Sequence, residues 1–331
     1  MRLILPLPGN EALASRLAQV GNWELGELES RRFPDGESYV RINADVANRS
    51  VDLVCTLARP DDGFLRLVFA ADCARSLGAR EVTLIAPYLA YMRQDRRFHS
   101  GEAVTSQSFA RLISSTFDRL VTIDPHLHRY PALSALYTIS SLTLHAAPLL
   151  ADWIGTEVEV PLIIGPDEES EQWVSAIATR IGAPFAVLKK IRHGDRSVDV
   201  ALPDLSQWRD RQPVLVDDIV SSGQTMIEAT RQLPNQGFRK PICAVVHGVF
   251  AEGSFERLRS LTTKIVSSDT IAHPTNAFHV APLIASALST RIDAANLVRH
   301  RRPPEPIDEV EQAGIDSFPA SDAPPWTGGA I

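Results

Sequence analysis

The sequence has few cysteines and no long apolar run, and each absence excludes a class of protein. Its 331 residues include three cysteines, Cys55, Cys73 and Cys243, none of them in a CxxC pair. A disulfide scaffold is therefore excluded, and the thiols are expected to be small buried residues in a reducing compartment. No run approaches the ~20 apolar residues that a membrane span needs. The first residues predict a strand rather than a signal peptide, so a cytoplasmic protein without a membrane partner is expected.

Positively charged residues are also fewer than negatively charged ones. The chain has 33 Lys and Arg residues against 40 Asp and Glu residues, which gives a formal net charge of −7. A field of this sign does not indicate a nucleic-acid partner. Cationic side chains therefore matter only where they cluster. A length of 331 residues exceeds one ordinary core and predicts two domains.

Short apolar runs alternate with longer amphipathic segments along most of the chain. This alternation predicts an α/β fold with mostly parallel sheets. The predicted strands are 2–5, 39–42, 52–55, 82–86, 120–123, 162–164, 185–188, 214–216, 242–246 and 264–266. The predicted helices include 62–77, 106–115, 170–181 and 225–233.

The alternation restarts near residue 145. Two α/β halves are therefore expected, 1–145 and 146–300, without a close sequence repeat between them. From residue 301 onward, prolines fall among acidic and small residues. That composition predicts a flexible tail over 301–331 rather than a further domain.

The strongest single pattern is the segment 214–225, in which an apolar strand ends in two carboxylates and a Ser/Gly turn leads into a helix. Backbone N–H groups at such a helix start bind phosphate, and Gly223 lets a ligand approach the main chain. The carboxylates can hold sugar hydroxyls directly or through Mg²⁺, which prefers oxygen ligands. Ligands of open α/β sheets lie at the carboxyl ends of strands, where this turn falls. The predicted phosphate and sugar site consists of Asp217, Asp218, Ser221, Ser222, Gly223, Gln224 and Thr225.

Two segments of the first half carry aromatic or charged side chains near turns. Residues 32–37 contain Pro-Asp-Gly, which predicts a tight turn that presents Phe33, Asp35 and Glu37. A ring can stack on a base and a carboxylate can accept from an exocyclic amine, but a plain hairpin explains this pattern better. Residues 93–97 place three arginines after the strand 82–86, which suits either a polyphosphate clamp or a solvated charged surface.

Two further strand ends carry candidate metal ligands. Asp124 and His126 follow the strand 120–123, and Asp167 follows the strand 162–164. Carboxylates suit Mg²⁺ or its water shell, whereas a histidine there suits phosphate contact equally well. His126 and His128 also raise a zinc site, which is weak because no thiol lies close in sequence. As a rival explanation, Asp167 is a helix N-cap.

A cationic run over 189–196 follows the strand 185–188. Dense cations on a glycine-containing loop suit a lid over phosphates. Such a cationic run more commonly forms a solvated hairpin turn.

Taken together and in order, these motifs resemble those of the ribose-phosphate diphosphokinase (PRPP synthetase) family. The turn 33–37 resembles its Phe-x-Asp-Gly-Glu motif, and 87–96 resembles its Pro-Tyr-x-x-Tyr-x-Arg-Gln-Asp-Arg motif. Asp124 and His126 match its Asp-x-His motif. The segment 221–225 resembles the PRPP-binding loop of the type I phosphoribosyltransferase fold.

The resemblance implies two type I phosphoribosyltransferase-like domains and a Mg²⁺-dependent transfer of diphosphate from ATP to ribose 5-phosphate. It also implies at least a homodimer, because the turn 33–37 would reach the adenine of ATP held by another subunit. The ATP-binding residues implied are Phe33, Asp35, Glu37, Arg93, Gln94, Asp95 and Arg96. Those implied for Mg²⁺ are Asp124, His126 and Asp167. The catalytic pair implied is Lys190 and Arg192, with Lys189 as a competitor for the lysine role.

The chain departs from the family pattern at two places. Ser221 stands where an aspartate is common, and 168–170 reads Glu-Glu-Ser where glycines are usual. Three rivals to the diphosphokinase therefore stay open: a phosphoribosyltransferase, which shares only the phosphate loop; a non-catalytic regulatory paralogue; and a diphosphokinase for another sugar phosphate.

Overall fold

The computed structural model describes residues 2–127, 129–167, 170–193 and 197–289. His128, the two glutamates of 168–169 and the tail predicted over 301–331 lie outside these residues. Within them, no helix has both the length and the apolar character that crossing a membrane requires.

The first half forms a six-stranded, fully parallel sheet with helices between its strands. Its elements are β1 (Arg2–Pro6), α1 (Glu11–Gly21), β2 (Glu24–Leu25), β3 (Leu28–Arg32), β4 (Ser38–Ile42), β5 (Ser50–Val54), α2 (Pro60–Ser76), β6 (Glu81–Ala86), α3 (Thr105–Thr116), β7 (Arg119–Ile123), β8 (Ser140–Leu144) and α4 (Ala147–Glu157). The sheet order is β2-β1-β5-β6-β7-β8, and β3 and β4 pair separately as an antiparallel ribbon.

The second half repeats this arrangement. Its elements are β9 (Pro161–Gly165), α5 (Glu171–Ile181), β10 (Phe185–Val187), β11 (Lys189–His193), β12 (Ser197–Ala201), β13 (Gln212–Val220), α6 (Gln224–Gln232), β14 (Ile242–Gly248), α7 (Ser254–Leu261), β15 (Lys264–Ser268), β16 (Asn276–Phe278) and α8 (Ala281–Ser289). The parallel sheet has the order β10-β9-β13-β14-β15-β16, and the ribbon β11–β12 occupies the same place in the chain order as β3–β4. The predicted α/β class with mostly parallel sheets is confirmed.

The two halves exchange helices and share apolar packing. Helix α4 follows the first sheet but packs on α5, and α8 follows the second sheet but packs on α1. One core cluster contains fully buried Ile4 and Leu17 from the first half and Val246 and Ile284 from the second. Here each half is one sheet with the helix that follows it in the chain, so α4 counts with the first half. The boundary predicted at residue 145 instead falls between β8 and α4, and as a division of folding units it stays a prediction.

A short sequence repeat accompanies the duplicated topology, and the search for repeats missed it. Residues 145–150 read His-Ala-Ala-Pro-Leu-Leu, and residues 279–284 read His-Val-Ala-Pro-Leu-Ile. Each segment joins the last strand of a sheet to the exchanged helix. A repeat of six residues is too short to stand out without knowledge of the matching positions in the fold.

The same side-chain contact fixes both junctions. Asp124, at φ +34°, accepts hydrogen bonds from His145 Nδ1 (2.9 Å) and from the Ala146 amide (2.8 Å). Asp269 accepts the matching bonds from His279 Nδ1 (2.9 Å) and from the Val280 amide (2.8 Å). A carboxylate that accepts an amide at a helix start satisfies a donor that has no partner inside the helix.

Because the contacts match, Asp124→Ala and Asp269→Ala should destabilise the chain by similar amounts. The expected cost is ~0.5–2 kcal/mol each, the range for replacing a capping side chain by alanine. Urea unfolding measures it, with Asp152→Ala as the control, because Asp152 pairs with Arg180 at the surface and should matter little. A large loss in one variant and none in the other would show that the two junctions are not equivalent.

Candidate active site

The carboxyl ends of β9 and β13 face loops of the first sheet across a cleft of about 670 Å³. An adjoining pocket of about 230 Å³ extends it toward the segment 88–94. Most of the residues predicted for phosphate and metal binding line the larger cleft: Asp124, His126, Asp167, Asp217, Asp218, Ser221, Ser222, Gly223, Gln224 and Thr225, together with Arg93. Gln94 lines the adjoining pocket.

The phosphate loop has the local geometry that its sequence predicts. Gly223 has φ +67° and precedes α6, so the first-turn amides of that helix point into the cleft. A Cβ at Gly223 would lie 3.2 Å from Leu258 Cδ1, so the position is tight as well as left-handed. The Ser221 carbonyl oxygen accepts from the Ala251 amide (3.0 Å) and from Ser254 Oγ (2.7 Å), which holds the loop from behind.

The pKa values of the two carboxylates of the loop are shifted in opposite directions. Strand β13 continues through both, and the Asp218 amide donates to Asp217 Oδ1 (2.9 Å). Burial, reinforced by the charge of Asp218, raises the pKa of Asp217 well above its usual range. Burial is the largest single influence on Asp218 and opposes its ionisation, but the hydrogen bond and charge of His126, with smaller contributions from Asp217 and His247, together outweigh burial and lower the pKa of Asp218. His126 Nδ1 lies 3.4 Å from Asp218 Oδ2, and this contact raises the pKa of His126 despite its burial.

His247, which the sequence analysis missed, bridges the two halves beneath the cleft. Its ring is buried, and Nε2 lies 3.0 Å from the Ile123 carbonyl oxygen and 3.3 Å from that of Asp124. Nδ1 lies 2.9 Å from Thr270 Oγ1. Burial lowers the pKa of His247, so a neutral ring donates from Nε2 to these carbonyls. The only sequence signal was a polar residue at the end of the apolar strand 242–246.

The segment 93–96 presents its charges in different directions. Arg93 is exposed and lines both pockets, whereas the Gln94 side chain accepts from Thr105 Oγ1 (3.0 Å). The Asp95 carboxylate is nearly buried and lies 3.5 Å from Arg129 Nε, which anchors the segment. The Arg96 guanidinium is exposed and lies 4.8 Å from the Phe98 ring.

The predicted adenine-binding turn lies at the tip of the β3–β4 ribbon. The Phe33 amide donates to the Glu37 carbonyl oxygen (2.8 Å), and the Glu37 amide donates to Asp35 Oδ1 (3.2 Å). All three side chains are exposed, and the Arg31 guanidinium lies 4.7 Å from the Phe33 ring. None of the three is among the described residues that line the cleft.

Lys190 and Arg192 lie on β11, so this part of the predicted lid is a strand of a hairpin rather than an irregular loop. Lys190 pairs with Val200 and Arg192 with Val198. The run 189–193 contains no Gly or Pro that would break a strand. Residues 194–196 lie outside the described part of the chain.

Asp167 lies at the end of the β9 strand, where the sequence predicted either a metal ligand or a helix cap. Its Oδ1 accepts from the Ser170 amide (3.1 Å), and its carbonyl oxygen accepts from Ser170 Oγ (2.6 Å). Both atoms therefore stabilise the turn before α5. The side chain also lines the cleft, so a capping role and a role toward a ligand are compatible.

The described residues contain no group of three or more His, Cys, Asp and Glu side chains that could hold a metal ion by themselves. The zinc site raised by His126 and His128 therefore has no support in this part of the chain. A Mg²⁺ ion needs fewer protein ligands, because it keeps several waters and binds substrate phosphates.

Residues 133–306 match the family model of the phosphoribosyl transferase domain, the class that this fold and phosphate loop define. Residues 3–116 match the model of the N-terminal domain of ribose phosphate pyrophosphokinase. The ribose-phosphate pyrophosphokinase of Methanopyrus kandleri is 33% identical over 290 residues, which cover 86% of this chain and 98% of that protein. That of Methanosarcina mazei is 34% identical over 288 residues, which cover 85% of this chain and 93% of the relative.

The chain belongs to the ribose-phosphate pyrophosphokinase family, which confirms the resemblance predicted from its motifs. A solved structure agrees at the level of the fold. The crystal structure of phosphoribosylpyrophosphate synthetase from Mycobacterium smegmatis matches with a TM-score of 0.75 and 22% identity, covering 87% of this chain and 97% of that chain.

The contact between His126 and Asp218 predicts a pH dependence that can be tested with Mg²⁺ chelated. Because the folded pKa of His126 is raised, its contribution to stability is complete below the unfolded value of about 6.5 and is lost as pH rises through the folded pKa. Asp218 has a lowered pKa, so its contribution is lost in acid instead. NMR titration of the His126 ring should give a raised pKa that falls in Asp218→Asn.

Asp269→Asn is the matched control, since its carboxylate binds another histidine at the junction to α8. It should leave the His126 titration unchanged. A His126 pKa that is the same in Asp218→Asn and in the unsubstituted chain would contradict the contact.

Proposed function

We propose that the chain catalyses the Mg²⁺-dependent transfer of the β,γ-diphosphate of ATP to the anomeric hydroxyl of ribose 5-phosphate, giving PRPP and AMP. The observation that carries the proposal is the cleft itself, in which the carboxylate pair and phosphate loop of one half face the Arg93 segment of the other. The similarity to relatives from Methanopyrus and Methanosarcina, both ribose-phosphate pyrophosphokinases, favours this reaction over the regulatory or other-sugar alternatives.

The phosphate loop would hold the 5-phosphate of ribose 5-phosphate. Its donors are the first-turn amides of α6 and the hydroxyls of Ser221, Ser222 and Thr225. At Gly223 and Gln224 the phosphate would approach the main chain of the loop. Asp217 and Asp218 lie at the floor of the same cleft, where they would accept from the ribose hydroxyls. This arrangement leaves the anomeric hydroxyl free to face the opposite wall.

The segment 93–96 would hold the triphosphate of ATP. Arg93 is the exposed cation of that wall, and Arg96 adds a second one nearby. Gln94 lines the adjoining pocket, and Asp95 would act through Arg129 by fixing the backbone of the segment. Positioning of this kind supplies much of the rate of phosphoryl-type transfer.

The cleft chemistry fits a Mg²⁺ ion. Among the described residues, four aspartates line it against one arginine, and two of these aspartates are adjacent carboxylates with opposed pKa shifts. We assign Asp167, Asp124 and His126 to the ion or its water shell. When bound, the ion would neutralise phosphate oxygens.

The reaction is an in-line displacement. The anomeric oxygen forms a bond to the β-phosphorus as the bond from that phosphorus to the α-phosphate oxygen breaks. AMP leaves with the electron pair, and the proton of the anomeric hydroxyl is released to water. Lys190 and Arg192, whose backbone belongs to the β11–β12 ribbon, would stabilise the charge on the transferring group and on AMP. The chain's residues thus bind, orient and neutralise, and no side chain need form a covalent bond.

A second copy of the chain would complete the ATP site. Phe33, Asp35 and Glu37 project from the β3–β4 ribbon and do not line the cleft of their own chain among the described residues. A face that could bury such a contact exists nearby, because α2 exposes Leu65 and Phe69. We infer at least a homodimer, in a reducing cytoplasmic setting that keeps the three thiols free.

The product distribution tests the reaction. With Mg²⁺, ATP and ribose 5-phosphate, ³¹P NMR should show AMP and PRPP forming in equal amounts, and chelation of Mg²⁺ should stop both. ADP as the main nucleotide product would mean that a single phosphoryl group moves, and the proposal would fail. Parallel reactions in which other sugar phosphates replace ribose 5-phosphate identify the acceptor.

Mixing two inactive variants tests the shared site. Phe33→Ala removes the ribbon contact, and Arg93→Ala removes a phosphate contact in the receiving chain. Each alone should lose most activity. Re-associated in equal amounts they should recover about a quarter of the wild-type activity, because one neighbouring pair in four then combines an intact ribbon with an intact cleft.

Arg111→Ala, an exposed α3 residue, is the control for charge loss. It should keep full activity alone and in mixtures. Failure of the two variants to recover, despite mixed oligomers shown by native mass spectrometry, would place the ATP site within a single chain.

A further inference from the structure

A second cleft, of about 720 Å³, lies at the carboxyl ends of β1 and β5 in the first half. The segments 248–251 and 271–273 of the second half close it. Strands β1 and β5 are the topological counterparts of β9 and β13, which carry the active-site cleft. Loops from the opposite half close both clefts, so the duplicated fold builds the same kind of cavity twice.

The second cleft lacks the carboxylate pair. In the first sheet Leu5 pairs with Leu53, and in the second Ile164 pairs with Leu215. Counting on from these registers, Cys55 and Thr56 stand where the other cleft has Asp217 and Asp218. Burial raises the pKa of the Cys55 thiol to about 12, so this position carries no charge at neutral pH.

Cationic groups line the second cleft instead. In the described part of the chain, Arg59 and Arg66 line it with one carboxylate, Asp62, which also lies 4.0 Å from Arg32. His273 lines it too, and burial lowers its pKa, so it adds hydrogen-bonding capacity rather than charge. The sign of the charge is therefore reversed relative to the active-site cleft, where the described lining has four aspartates and one arginine.

One arginine donor in this cleft lacks an acceptor. Arg66 Nη2 donates to the Asp62 carbonyl oxygen (3.0 Å), but its buried Nε has no hydrogen-bond partner among the described residues. A buried donor without a partner is costly, and an anion would satisfy it. The same turn of α2 begins at Pro60 without a side-chain cap, and Gly63 opens onto free space. The first turn of α2 and the guanidinium groups of Arg59 and Arg66 thus lie around the same cleft.

We propose that this second cleft binds the phosphate group of a small molecule without a metal ion. Its volume lies within the range of ordinary small-molecule sites, roughly 300–1,000 Å³. The phosphate is either inorganic phosphate or the phosphate of a monoester, because both present the same oxygens to Arg59, Arg66 and the amides. The inference does not rest on the proposed activity, since none of these side chains lines the active-site cleft.

Hydrogen–deuterium exchange on the full chain, with divalent cations chelated, separates the two phosphate sites. Inorganic phosphate and glycerol 3-phosphate serve as the two probes. Either or both should protect the first turn of α2, and the stronger probe identifies the source of the phosphate. Protection of the first turn of α6 reports the active-site loop separately.

Arg66→Met should weaken protection of α2 by roughly tenfold or more in phosphate concentration, because it removes a charged hydrogen bond. It should leave protection of α6 unchanged. Arg111→Met makes the same charge change on α3 and should alter neither site. Gly63→Glu places a carboxylate in the open space and should weaken binding at α2 more than its neutral match Gly63→Gln.

Protection of α2 that persists in both Arg66→Met and Gly63→Glu overturns the proposal, as does protection of α6 alone. Protection of α2 without protection of α6 supports the second cleft and instead weakens the assignment of the phosphate loop. The two proposals therefore fail by different results.

Discussion

The active-site cleft depends on the fixed contact between the two halves at His247. Its walls come from different sheets, so a small rotation of one half would separate the carboxylate pair from the Arg93 segment. The neutral His247 ring ties β14 to the carbonyl groups of Ile123 and Asp124, beside the start of the Asp124–His126 loop. Apolar packing alone is nearly non-directional, whereas these hydrogen bonds specify one alignment.

The exchanged helices explain why the contact is stable. Because α4 packs on α5 and α8 on α1, each sheet carries a helix that belongs to the other half in chain order. Buried Val246 and Ile284 join the core formed by Ile4 and Leu17. Separating the halves would expose this apolar surface to water, at a free-energy cost of roughly 25 cal/mol for each Å² exposed. The alignment of the cleft is therefore held by the core as well as by His247.

Much of the fold could be predicted from the sequence, because buried parallel strands are short apolar runs. The ribbon β3–β4 was harder, since Arg31 and Arg32 do not resemble a strand. Helix α8 was missed because its run of Ala and Leu has no polar face to reveal a period. The strand, turn and helix start that make up residues 214–225 were predictable because they are consecutive in sequence.

The rest of the site could not be predicted because its parts are distant in the chain. His126 and Asp218 are 92 positions apart, and His247 and Ile123 are 124 apart. No local sequence pattern indicates contacts between residues so far apart in the chain. Lys190 and Arg192 belong to a cationic run for which the sequence left a loop and a hairpin open, and the backbone of 189–193 pairs as a strand with 197–201. Charge content alone does not decide between a loop and a solvated ribbon.

One segment lies between the two clefts and serves each with a different part of its structure. The amides of Phe250 and Ala251 donate to the carbonyl oxygens of Val220 (2.9 Å) and Ser221 (3.0 Å), at the start of the phosphate loop. The same two residues line the second cleft, and the Phe250 ring lies 4.7 Å from that of His273. Phe250 adopts φ +47°, a conformation that costs free energy and is kept because the surrounding bonds require it. A ligand in the second cleft would therefore touch the residues whose backbone holds Ser221 in place, so the geometry of the phosphate loop depends on both cavities that the duplicated fold creates.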